Sequence, residues 1–268
     1  YRHPAHELRL AVLARELGFA QISTSHEVSA LIKLVGRGDT TLADAYLSPV
    51  LRHYVDQFCA QLGDATDPQF MKSSGGLASA AAFHGRDAIL SGPAGGIVGM
   101  VGSAAPLGKT RLIGFDMGGT STDVSHYAGR LERDNETIVA GTRIRAPMLR
   151  IHTVAAGGGS ICRWDGARLL VGPESAGANP GPAAYGRGGP LTVTDCNVLL
   201  GKIQPGHFPK LFGAAGDQPL DRTVVAGKFA AMAAEVGGIT PQALAEGLLA
   251  IAVQQMANAI KRITIARG

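Results

Sequence analysis

Residues 114–125 read GFDMGGTSTDVS, and no other stretch narrows the possible folds as much. A strand ends on an acid, Asp116, turns through Gly118 and Gly119, and resumes beyond three hydroxyl residues, Thr120, Ser121 and Thr122, with a second acid, Asp123. A glycine turn between antiparallel strands lets successive N–H groups point into one concavity, a nest that binds an anion. The hydroxyls of Thr120 and Thr122 can add donors to phosphate oxygens. Asp116 cannot bind phosphate itself. It can hold Mg²⁺ through water and so offset repulsion between nucleotide phosphates. Asp123 either shares that role or orients an attacking group. The competing reading is an ordinary hairpin whose acids cap its turns. A P-loop does not fit, because GxxxxGK[ST] is absent, and glycines at 114, 118 and 119 do not make GxGxxG.

Composition removes several classes. Apolar residues are 46% and charged residues 17% of 268, which favours a folded chain over a disordered one. The 37 glycines show no three-residue period, so they imply tight turns rather than a collagen helix. Aromatic residues are 5%, and Arg143–Arg145 and Lys261–Arg262 are the densest basic groups, too short for a nucleic-acid track. Nucleic acid is therefore not expected as a partner. No apolar run reads as long enough to span a bilayer, so no membrane is expected either. Cys59, Cys162 and Cys196 are scattered and odd in number, without CxxC, which suits a cytoplasmic setting. No His/Cys spacing suits zinc.

Along the chain, 4–17 carries helical spacing closed by Gly18, "AQISTSHEV" reads as a short strand, and Asp39, Thr40 or Thr41 can cap a helix over 42–62 that Pro49 kinks or restarts. "QFMKSSGGLAS" predicts a strand and a glycine turn, and Ser73–Gly76 are candidates to line a substrate. "SGPAGGIVGMVGSA" predicts a helix from about 94 to 104 whose glycines make sense where another backbone or a ligand presses close. "RLIGFDMGG" reads as a buried strand, 122–128 as its hairpin partner and 129–140 as a third strand. Asp165–Gly166 predicts a hairpin turn, and 172–190 an elaborate loop. Asp195 or Asn197 caps a helix, and helices follow from Asp221, with Thr240–Pro241 opening the last. Gly157, Gly158 and Gly159 are a second candidate anion nest, with tight packing as the alternative. Arg187 could reach a phosphate or sit solvated in its loop.

The hairpin resembles the second phosphate loop of the actin/Hsp70/sugar-kinase ATPase superfamily, with "SGPAGGIVGMVGSA" in the place of the small-residue hinge helix. The order of "KSSGGL", "SGPAGGIVG", "DMGGTSTDVS", "HTVAAGGGSI", "VGPESAGANPGPAAYGRGG" and "TVTDCNVLLG" is similar to that of the hydantoinase A/5-oxoprolinase family, over nearly the whole chain. The resemblance implies an α/β, ribonuclease-H-like fold with a mixed sheet. It also implies residues 1–87 as the end of one lobe and 88–268 as a second, truncated ATPase lobe. ATP and Mg²⁺ are the implied cofactors, with ATP-driven opening of a cyclic amide such as 5-oxoproline or a hydantoin as the activity. An oligomer with a B-type subunit or domain is implied as the assembly. His152 would contact the substrate carbonyl or a phosphate, with a histidine bonded beside a glycine loop as the alternative. A ketone carboxylase subunit uses the same parts, and a non-catalytic nucleotide-sensing module is the contrasting reading. The opening without Met and the stop at a helix end read as a piece of a longer polypeptide. It lacks the family's first phosphate loop and adenosine-contacting segment, so turnover by it alone is not expected. Cys196 stands where an alanine-like residue is usual, and is expected to fill space as a buried thiol.

Overall fold

The computed structural model describes residues 2–63, 66–139 and 141–265. In chain order the elements are α1 (Ala5–Glu16), α2 (Ser25–Val28), α3 (Leu34–Leu62), β1 (Gln69–Met71), β2 (Leu77–Ser79), α4 (Gly85–Ala88) and α5 (Ser91–Ala104). Then come β3 (Arg111–Met117), β4 (Thr122–Ala128), β5 (Arg133–Asp134), β6 (Thr137–Val139), β7 (Thr142–Ile144), β8 (Met148–Leu149) and β9 (His152–Val154). The chain closes with β10 (Ser160–Trp164), β11 (Leu169–Ser175), α6 (Val193–Leu199), α7 (Arg222–Val236) and α8 (Pro241–Ile265). Two compact units result, one from 1–114 with 126–151, the other from 115–125 with 152–268.

The α/β class is as expected, but the mixed sheet is not. Strands pair as β1–β2, β5–β8, β6–β7 and β10–β11, and as one three-stranded sheet ordered β3–β4–β9. The third strand beside the hairpin is thus β9, whereas 129–140 supplies β5 and β6 to small sheets of their own. The β1–β2 and β10–β11 hairpins turn too tightly for a parallel crossover, and β4–β9, β5–β8 and β6–β7 are antiparallel as well.

In the first unit, α3 starts eight residues before the expected 42–62 and runs through Pro49 without a new first turn. Its expected caps lie inside it. Thr40 is fully buried and donates to the Gly36 carbonyl at 2.8 Å, while its hydroxyl accepts from the Arg145 amide at 2.9 Å. That staple ties α3 to the strand end after β7. The stretch expected as a strand at 20–28 is extended to Thr24 and then forms α2. Glu7 of α1 receives the amides of Ser25 and His26 and the His26 ring. Burial opposes its charge, yet these bonds outweigh burial and hold its carboxyl down to about 2. The KSSGGL stretch forms the β1–β2 hairpin. Ser73 is buried there, donating to the Asp87 carbonyl and accepting from the Leu90 amide, so it pins the turn and faces no opening. The helix α5 begins at Ser91, three residues early. A Cβ at Gly99 or Gly102 would meet nothing within 4 Å, and one at Gly95 only Met71. At Gly99 and Gly102 the expected close packing is therefore not seen among the described residues.

The second unit has one continuous core: Val171, Val193, Cys196 and Val198 pack with Val225 and Phe229 of α7 and Leu244, Leu248 and Ala252 of α8. By length and composition α8 is apolar enough to cross a membrane, which the sequence reading denied to every run. One stripe of it (Leu244, Leu248, Ala252, Met256, Ala259) lies buried in this core, as in a core helix. Cys162 and Cys196 are free and buried, with sulfurs 3.9 Å apart. The hydrogen bond to Cys196 and burial push the Cys162 thiol up, away from the reactive thiolate. Asp195 fastens the loop over 176–190, together with Lys228, which donates to Gly189 O at 2.6 Å. Asp195, fully buried at N3 of α6, accepts from Thr192 N at 2.8 Å, Thr192 Oγ1 at 2.9 Å, Ala183 N at 3.0 Å and Ala184 N at 2.7 Å. Burial raises its pKa, and the four donors pull it back. The capping role expected for Asp195 therefore extends to fastening the loop. Arg187 donates to the carbonyls of Gly213 and Leu211, a staple rather than a free anion contact.

Asp195→Ala leaves those buried donors without an acceptor and should lower unfolding free energy by about 3 kcal/mol or more. Asp221→Ala, which removes a cap on α7 formed by bonds to Thr223 N and Val224 N, should cost about 1 kcal/mol. Urea unfolding of both variants checks the ranking, and equal losses would contradict the fastening role.

Candidate phosphate site

The expected nucleotide loop is the β3–β4 turn. Gly118 N donates to Ser121 O at 2.9 Å, which leaves Gly119 and Thr120 as the tip. The tip is docked on the glycine triplet. Gly158 N donates to Gly118 O at 3.1 Å, and Gly159 N to Gly119 O at 2.6 Å. Gly157 N donates to Ser160 Oγ at 2.9 Å. A Cβ on Gly157 would stand 2.7 Å from Gly118 O and 2.8 Å from Gly119 C, and one on Gly159 would stand 2.9 Å from Gly119 O. From below, Thr194 in the first turn of α6 donates its amide and its hydroxyl to Gly158 O, at 2.8 and 2.9 Å. Close approach of two backbones is therefore why 157–159 are glycines. All three triplet amides are engaged inside the fold, so the packing alternative describes them and the second anion nest has no open donor here.

The hairpin tip differs. Among the described residues, the amides of Gly119, Thr120 and Ser121 have no hydrogen-bond partner. Three consecutive N–H groups thus stay open at an exposed turn. The hydroxyls divide. Thr120 is exposed, and its Oγ1 lies 3.4 Å from Ser175 Oγ. Ser121 is half-buried. Thr122 is fully buried and donates to Ala156 O at 2.5 Å, so the donor expected for a phosphate faces the core instead. Strand alternation explains this: Thr122 and Val124 point inward, and Asp123 lies on the opposite face.

Asp116 is exposed on β3, flanked by the apolar residues Phe115 (46% exposed) and Met117 (41%). This strand, expected to be buried, is an open edge of its sheet. Asp123 accepts from its cross-strand neighbour Thr153 at 2.6 Å. Asp116 and Asp123 lie on adjacent strands of one sheet, and neither acid has an ion-pair partner among the described residues. No group of three or more His, Cys, Asp or Glu is placed to hold a metal among those residues. A divalent cation here would rely on the two acids, water and ligand oxygens, the pattern Mg²⁺ favours.

His152 is half-buried on β9 opposite Val124. Burial, then the charge of Arg262, lowers its pKa, which keeps the ring neutral at pH 7 and able to accept a proton. Ser175 and Thr194 were not singled out from sequence. Ser175 follows Pro173–Glu174 in a glycine-rich run, and nothing linear announces that the run returns to the hairpin tip.

The Hydantoinase/oxoprolinase family model matches residues 37–268, and the chain belongs to that family. It is 46% identical over 277 residues to the 5-oxoprolinase of Saccharomyces cerevisiae, covering 100% of this chain and 22% of that protein. It is 37% identical to caprolactamase subunit alpha of Pseudomonas jessenii, covering 100% of this chain and 39% of that subunit. Among solved structures it superposes on the ATP-dependent caprolactamase of Pseudomonas jessenii with a TM-score of 0.76 at 36% identity. Its TM-score on nucleotide-free acetone carboxylase is 0.83 at 25% identity, and each comparison covers 100% of this chain and 39% of the other. The chain thus spans under half the length of each relative named.

Gly157→Ala forces a methyl into the Gly118–Gly119 backbone and should destabilise by about 2–3 kcal/mol. Gly119→Ala meets nothing within 4 Å and should cost about 1 kcal/mol or less. Thermal unfolding of the two variants reads the difference. A Gly157→Ala protein as stable as Gly119→Ala would remove the docked-tip geometry.

Proposed function

We propose that this chain is the phosphate-gripping part of an ATP-dependent cyclic amide hydrolase. One observation carries the reading: three unengaged amides at 119–121 sit on a rigidly docked turn beside two unpaired acids. ATP supplies the chemical activation of an otherwise inert amide oxygen. The amides of Gly119, Thr120 and Ser121, with the Thr120 hydroxyl, hold phosphate oxygens. Asp116 holds Mg²⁺ through water, and Asp123, steadied by Thr153, shares the ion or orients the attacking group. His152, neutral at pH 7, accepts a hydrogen bond or a proton at its ring nitrogen. Gly157, Gly158 and Gly159 serve from behind by fixing the tip.

In the same proposal, residues 88–268 belong to a ribonuclease-H-like ATPase lobe and 1–87 to the end of the preceding one. The open glycine face of α5 is the surface that a facing lobe would cover, and a B-type subunit completes the cytoplasmic assembly. The identity to 5-oxoprolinases favours a lactam such as 5-oxoproline as substrate. The TM-score on acetone carboxylase supports the alternative, ATP-dependent ketone carboxylation.

Asp116→Asn in the intact protein should cut ATP turnover by about a hundredfold or more, with unchanged unfolding. Phosphate release stimulated by 5-oxoproline but not by acetone with bicarbonate selects the hydrolase. Wild-type turnover in Asp116→Asn would refute the role of that carboxylate.

A further inference from the structure

Within the first unit, a cavity of about 260 Å³ opens between the extended 21–24 segment, α3 and the turn leading into α4. It is small beside the roughly 300–1,000 Å³ of pockets for drug-sized ligands. Its charges are unusual. Asp44, on α3, is 4% exposed and accepts only from neutral donors, Ser23 Oγ at 2.8 Å and the Arg86 amide at 3.1 Å. No Lys, Arg or His lies within ion-pair distance of it among the described residues. A buried carboxylate held that way is costly and is relieved by a cation or a strong N–H donor.

Two arginines, Arg52 and Arg86, line the same cavity. Arg52 donates to Ala80 O at 2.8 Å and to Phe83 O at 3.4 Å, and Arg86 donates to Glu27 O at 2.9 Å. Carbonyls position these groups without neutralising them, and each guanidinium has five N–H donors in a fork that fits a carboxylate. Neither arginine has an acidic partner within ion-pair distance among the described residues. Glu27, also on the wall, is exposed, and its carboxylate is held by the Thr24 hydroxyl.

We propose that this cavity is a binding site for a small zwitterionic α-amino acid, its ammonium against Asp44 and its carboxylate against Arg52 and Arg86. Separation of one buried negative group from two positively charged ones within so small a space is the pattern such a ligand neutralises in one step. A lone carboxylate would leave Asp44 uncompensated, and a lone amine would leave the arginines so. The site is built from residues of the first unit alone and does not rest on the proposed activity.

Calorimetric titration of the intact protein with L-alanine, L-glutamate and their N-acetyl derivatives tests it. At least one free amino acid should bind one-to-one, and its N-acetyl derivative about tenfold more weakly or worse, because acetylation removes the ammonium. Asp44→Asn should weaken the free amino acid about tenfold while erasing the penalty for acetylation. Arg86→Gln, nearer the surface, should weaken both forms. Titration of 5-oxoproline separates an N–H donor from a charge: binding tighter than both amino acids would replace the zwitterion with a lactam and overturn the assignment. Equal binding of free and acetylated forms would also overturn it, as would no heat for either amino acid up to about 10 mM. Should Asp44→Asn fail to fold, the acetylation comparison and Arg86→Gln still decide.

Discussion

Two backbone hydrogen bonds, from Gly158 and Gly159 to the carbonyls of Gly118 and Gly119, fix the feature on which the functional reading rests. They stiffen a two-residue turn that would otherwise fray, and they do so from its carbonyl side. Docking therefore uses the carbonyl edge of those two peptide units, and the Gly119 and Thr120 amides on their other edge make no hydrogen bond among the described residues. That division explains why a glycine triplet thirty-eight residues downstream of Gly119 has no room for a single methyl group. It also explains why Thr194 and Asp195 matter. One holds the triplet from the first turn of α6, and the other fastens the neighbouring loop to that turn.

Much of the second unit was legible in sequence, since its signals are local. Asp165–Gly166 marks a hairpin with Gly166 in the left-handed region, α7 follows directly on Asp221, and Thr240–Pro241 opens α8. The hairpin at 118–121 was legible for the same reason. What escaped was long-range. Thr122 and Gly157–Gly159 look like phosphate donors by type, and only the fold shows that their groups close on Ala156 and on the hairpin. Residue type reveals the capacity to donate, never which acceptor arrives first.

The first unit was harder to read because its stability is distributed. Its buried residues fall into three small clusters around Val55, Ile97 and Ile144. Along α3, Leu42, Tyr46 and Val50 are more than 70% exposed, so the apolar pattern that should locate the helix misreports its buried side. Asp39, Thr40 and Thr41 have the residue types of a cap, yet all three lie inside α3, where Thr40 pairs with the Arg145 amide. Asp44 drew no notice in sequence, as one acid in a long helix. Its burial without a cation is visible only once the 21–24 segment and Arg86 close over it.

The most direct measurement is amide hydrogen exchange, residue by residue, with and without a non-hydrolysable Mg–ATP analogue. The free protein should show slow exchange at Gly158 and Gly159 and fast exchange at Gly119, Thr120 and Ser121, with the analogue slowing only the latter three. Unchanged exchange at 119–121, or a response confined to 157–159, would contradict the account.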